Sequence, residues 1–184
     1  MKTRNFTMAA VISSLGLGIP AFAQEGSETD LSRYQIFEEG EQSITLKQLE
    51  QMEDAYRSLV DAGDCANALP KIVEFADGAN KLANILRQGN EPYYDARSDD
   101  QETIARRRAL LNQLIKAESA SNNLIEQRNE AWVEEAKCLL DQGSQDEAIT
   151  RLYRALDYID HDNYDLWEEA RMLLWAQVEF DPEA

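Results

Sequence analysis

Histidine occurs once in this chain of 184 residues, cysteine twice, and the 18 basic residues are outnumbered by 35 acidic ones. Each shortage excludes something. With His161 alone, an acyl-transfer triad would have to be built around a single imidazole. No HExxH, GxSxG or phosphate-cradling P-loop is present. Cys65 and Cys138 stand far apart, so no CxxC redox pair exists. A formal charge of −17 speaks against nucleic acid and anionic membrane surfaces, whose phosphates need a positive face. Beyond the N-terminal region no stretch reaches the roughly 18 to 20 uncharged residues of a membrane helix. Strand alternation and Asn-Gly hairpin turns are missing as well, which leaves an all-α fold of about six helices.

The chain opens with Lys2 and Arg4, continues through an apolar run from Met8 to Pro20, and reaches Ala21-Phe22-Ala23 before Gln24. A basic start, a short apolar stretch and a small-x-small site form a secretory signal peptide, residues 1–23. No cysteine follows the run, so no lipid-anchoring pattern is present, and the expected location is the periplasm or the medium. Without it, 161 residues remain, enough for one domain that buries about two-thirds of its unfolded surface. In an oxidising compartment Cys65 and Cys138 are expected to join. The bridge would close a loop of about 70 residues and contribute on the order of 4 kcal/mol in the chain-entropy model. Two buried thiols that never meet are the alternative.

Residues 24–43 are rich in glycine, serine and acids, with only Leu31, Tyr34, Ile36 and Phe37 to bury, and read as a flexible lead to a helical domain over 44–180. Thr45 and Gln48 make a capping box for a first helix over about 46–62. A second runs to Gly89 from Asp64 or Asn67, and Pro70 favours the Asn67 cap because proline is best tolerated in the first turn. After a loop through Pro92, Ser98 opens a third helix with Ile104, Leu110, Leu111, Leu114 and Ile115 on its stripe. The polar run from Glu118 to Asn123 either interrupts it or lies on its exposed side. A fourth helix covers 124–140, Ser144 caps a fifth, and Asp162 or Asn163 opens a sixth that runs toward Phe180. Residues 181–184 form a tail.

The densest pattern lies between Asn129 and Asp162. An aromatic early in the first helix, small residues where two helices cross, a glycine turn and an alanine-rich second helix are met by Trp132, Ala136, Leu139, Gly143, Ala148, Leu152 and Ala155. This segment resembles one tetratricopeptide repeat, a family of about 34 residues per unit, with Ala136 standing where the family prefers Gly and Asp160 where it often has Pro. Aligning Gly63 with Gly143 makes the first two helices a degenerate copy. There Tyr56 takes a position meant for a small residue and Phe75 replaces an alanine. The resemblance implies antiparallel helical hairpins stacked as a short array, and a module that holds a peptide or envelope protein.

Carried over residue by residue, the family's groove positions fall on Glu130, Val133, Lys137, Leu140 and Asp141, and then on Tyr164, Trp167, Arg171, Leu174 and Trp175. Two Trp, a Tyr and an Arg are the residue types that dominate binding hot spots. The same tryptophans, eight residues apart on one helix face, equally suit core packing against the fifth helix. Cofactors have no motif here. An EF-hand loop begun at Asp160 fails, with Tyr164, Asp165 and Arg171 at three of its key places. His161 reads as a solvated turn residue, and the triplet Arg106-Arg107-Arg108 as a solvated face. The carboxylate pairs Glu134-Glu135 and Glu168-Glu169 leave a carboxylate-based enzyme as the least favoured expectation, behind a helical bundle that assembles with itself.

Overall fold

Thr45 caps the first helix of the described residues. Its hydroxyl accepts the Gln48 N–H at 3.3 Å while the Gln48 side chain accepts the Thr45 N–H at 2.9 Å, the reciprocal cap expected of this sequence. The computed structural model describes residues 44–182; the expected signal peptide and the lead over 24–43 lie outside them. The described residues form only helices: α1 (Leu46–Asp61), α2 (Cys65–Gln88), α3 (Glu91–Tyr94), α4 (Ser98–Ala105), α5 (Arg108–Asp141), α6 (Gln145–Tyr158) and α7 (Tyr164–Gln177). The chain is all-α.

Two hairpins, α1–α2 and α5–α6, are closed by the same turn. Gly63 (φ 71°) and Gly143 (φ 77°) take the left-handed conformation that ordinary residues resist. The Asp64 N–H returns to the Leu59 carbonyl and the Ser144 N–H to the Leu139 carbonyl, both at 2.9 Å. Each glycine N–H bonds in turn to Val60 or Leu140, again at 2.9 Å. The pattern satisfies carbonyls that the helix end leaves unpaired.

The hairpins differ in what fills them. Tyr56 and Phe75, both fully buried, meet with ring centroids 5.0 Å apart between α1 and α2. Ala136 and Ala155 hold the corresponding places between α5 and α6, also fully buried. Two large residues together, or two small ones together, suit a close-packed interior; one of each would leave a void or a clash. Helices α2 and α5 form the most extensive contact, α6 covers α5, and α7 packs on α6. The core passes through all of them, from Leu49 and Ile72 through Val133 and Leu152 to Ala170. Cys65, the first residue of α2, is disulfide-bonded to Cys138 of α5 with Cα atoms 5.0 Å apart, so the two hairpins are joined covalently.

Four helix ends differ from expectation, each for a local reason. Asp64 caps α2, accepting from the Asn67 N–H and from its side-chain amide at 2.7 Å, so Asn67 lies within the first turn and Pro70 in the second. The proline removes a bond to the Ala66 carbonyl, but that residue is exposed and water can replace the donor. Ser98 is the first helical residue of α4 and makes no cap bond; Arg97 is the cap. The polar run over 118–123 interrupts nothing. Ser121 is buried and donates to the Ala83 carbonyl at 3.1 Å, so α5 continues through it and the break falls earlier, at Arg106 and Arg107. Finally α7 ends at Gln177. Glu179 adopts φ 56°, the Phe180 N–H returns to the Trp175 carbonyl at 3.0 Å, and the Phe180 ring folds onto Trp175 with centroids 5.0 Å apart.

Candidate functional site

Helix α7 brings Tyr164, Trp167, Arg171, Leu174 and Trp175 onto one side because they recur three, four and eight residues apart. The Arg171 guanidinium lies 4.3 Å from the Trp167 ring centroid and 4.5 Å from that of Trp175. Its Nη2 bonds to Glu168 one turn earlier, while Nε is buried with no acceptor. An arginine held between two indole faces combines cation–π attraction with a fixed orientation. Tyr164, exposed, leans on Trp167 with centroids 5.8 Å apart.

Lys137 on α5 reaches this face through charge. Its ammonium bonds to Glu134 at 2.8 Å and to Glu169 of α7 at 2.5 Å. Burial pulls its pKa down, but the two carboxylates more than offset this and hold it above the usual lysine value. The stability it lends is therefore present below the ordinary lysine pKa and is lost as pH climbs through the raised one. Leu140 and Leu174, both half-buried, pack against the core, as does Trp167. Trp175 is half-buried among Phe180 and Arg171. Of the remaining positions carried over, Val133 is fully buried and belongs to the core. Asp141 is exposed near the disulfide, with an oxygen 3.7 Å from the Cys65 sulfur.

Glu130 points the other way, to Arg57 of α1 at 2.9 Å, and Arg57 also holds Glu53 at 2.9 Å. Burial works against the Arg57 guanidinium, yet the bond to Glu130, with Tyr56 and Glu53, raises it above its ordinary value. Arg57 was not among the candidates read from the sequence. The signal was present: Arg57 stands where Lys137 does when Gly63 is aligned with Gly143, and where Arg171 does one helix later. Each of these three cations binds a glutamate three or four residues before it.

The carboxylate pairs prove to be divided. Glu134 and Glu169 serve Lys137, Glu168 serves Arg171, and Glu135 is buried against Arg151 of α6 at 2.7 Å. Burial raises the Glu135 carboxyl, with Arg151 opposing, and its Oε2 has no partner. His161 is exposed between Asp160 at 2.6 Å and Asp162 at 3.3 Å, as a turn residue should be. Ligand atoms of these three lie within 4.8 Å of one another, all on exposed side chains. Arg106, Arg107 and Arg108 are exposed at the α4–α5 turn, with Arg106 paired to Glu102 at 2.5 Å.

No protein family, characterised protein or solved structure matches this chain. Among the described residues no helix is long and apolar enough to cross a membrane.

Proposed function

We propose that the protein is an exported, non-catalytic binding module of tetratricopeptide type that holds a peptide or an envelope protein on the face shared by α5 and α7. The stack of Trp167, Arg171 and Trp175 carries this reading. Three side chains of hot-spot type are half-buried and pre-oriented there, and the Arg171 Nε–H has no acceptor among the described residues. An extended peptide offers aromatic or aliphatic side chains for the indoles and carbonyls for the guanidinium. Ordering these groups before binding lowers the entropy lost on association.

The repeated turn at Gly63 and Gly143 supports the repeat architecture, as do the fully buried alanines 136, 148, 155 and 170 where helices cross. The Cys65–Cys138 disulfide suits an oxidising compartment, in keeping with the signal sequence over 1–23. A second reading, a bundle that assembles with itself, draws on Met172, Val178 and Phe180, all exposed at the end of the helix series.

A displayed-peptide selection on the purified protein tests the proposal. A consensus motif should be enriched, and its affinity should fall about tenfold or more for Trp175→Ala, whose truncation exposes rather than empties the core. Failure to enrich any motif, or equal binding by a Trp175→Ala variant of unchanged helicity, overturns it. Light scattering showing one fixed oligomer at every concentration would put the self-assembling bundle in its place.

A further inference from the structure

Arg128 of α5 is the most deeply buried cation among the described residues, 4 % exposed, and no carboxylate among those residues pairs with it. Buried arginines are normally compensated by an anion. Here the guanidinium is held by amides: Nη1 donates to the Asn80 Oδ1 at 2.7 Å, Nη2 to the Asn129 Oδ1 at 2.9 Å, and Nε to the same oxygen at 3.3 Å. Asn129 is fixed in turn by donating to the Tyr158 carbonyl at 2.9 Å. The plane lies 4.4 Å from the Trp132 ring centroid and 5.0 Å from that of Tyr158. Three of its five N–H donors are thereby used, and the other two meet no acceptor among the described residues. Burial pushes the group down to about 10, opposed by Tyr158 and reinforced by Arg154 and Arg87, so it remains a cation at neutral pH.

This arginine opens into a cavity of about 550 Å³ between α2, α5 and the α6–α7 turn, a size suited to a compact organic ligand. Asn84 and Asn122 add amides to its wall, Glu126, Asp157, Asp160 and Asp162 supply exposed carboxylates, and Arg87 supplies one exposed guanidinium. The lining is thus differentiated by charge. A cation backed by amides lies inside, and the exposed rim, four carboxylates against the Arg87 guanidinium, is net negative. An inorganic anion would meet the acids and be repelled, whereas a molecule with a carboxylate at one end and an ammonium at the other meets a complement at both.

We propose that this cavity binds a short peptide with free termini, its carboxylate seated on Arg128 and the neighbouring asparagines and its ammonium on Asp157 and Asp160. The site is built from none of the residues of the α5–α7 face, and it stands or falls independently of that reading. The asparagine amides, each both donor and acceptor, serve the peptide groups between the termini.

Tri-alanine is the probe, followed by nitrogen-resolved NMR of the Arg128 Nε–H and the side-chain amides of Asn80 and Asn129. Tri-alanine should move all three signals saturably. Its C-terminal amide and its N-acetyl form should each bind about tenfold or more weakly, since each removes one charge-assisted contact. The variant Asp157→Asn, Asp160→Asn changes only exposed side chains, and it should no longer distinguish tri-alanine from the N-acetyl form. Unmoved signals at saturating peptide overturn the proposal. So do equal affinities for the three forms, or acetate alone binding as tightly as tri-alanine, which would mark a simple anion site.

Discussion

The Tyr56 hydroxyl is fully buried and has no hydrogen-bond partner. Burial raises its pKa well above the ordinary phenol value, against the influence of Arg57, and the neutral hydroxyl is left without an acceptor. An unpaired buried hydroxyl costs stability that a phenyl ring of the same shape would not. Tyr56→Phe is therefore expected to stabilise the protein by about 1 kcal/mol, read as a higher denaturation midpoint at unchanged slope. A loss of stability would mean that an ordered water satisfies the oxygen. At this scale the identity of candidate residues was legible, because hot-spot residue types and helical spacing are properties of the string. Their partners were not. The spacing offers Lys137 and Arg171 as ligand-facing groups, whereas in the structure Arg171 bonds to Glu168 one turn earlier and Lys137 to Glu134 of its own helix and to Glu169, which packing brings from α7.

Helices and turns were the most legible level, since capping and glycine turns are decided by a few adjacent residues. Nothing lies within 4 Å of where a Cβ would stand at Gly63 or Gly143, so an alanine at either meets only the backbone cost of the left-handed conformation. Gly63→Ala and Gly143→Ala should each destabilise by about 1 to 2 kcal/mol, and by similar amounts, as thermal or chemical denaturation would show. Unequal losses would mean that the two hairpins do not share one turn. Where expectation and structure part, a distant group is responsible. The run over 118–123 reads either as a break or as an exposed face; α5 continues through it with Glu118, Ser119, Asn122 and Asn123 exposed, and Ser121 is buried because the Ala83 carbonyl on α2 accepts its hydroxyl. Periodicity carries the last helix toward Phe180, but contact with Trp175 favours a chain that turns back at Glu179.

For the whole molecule the disulfide is the main constraint beyond packing. It joins residues 73 apart, and its loss should cost about 4 kcal/mol through the freedom restored to the unfolded chain. Denaturant unfolding of the Cys65→Ser, Cys138→Ser double variant measures this, and a change below about 1 kcal/mol would show that the unfolded chain stays compact without it. Composition and periodicity by themselves determined the helical class, the hairpin turns and the two cysteines available to pair, because these follow from local propensity and counting. Tertiary structure alone decided that Tyr56 and Phe75 share one crossing, that Lys137 reaches Glu169 of α7, and that Arg128 is buried against Asn80 with no carboxylate partner among the described residues. Such pairings join residues from different helices, and their energies depend on distances and burial that no sequence spacing encodes.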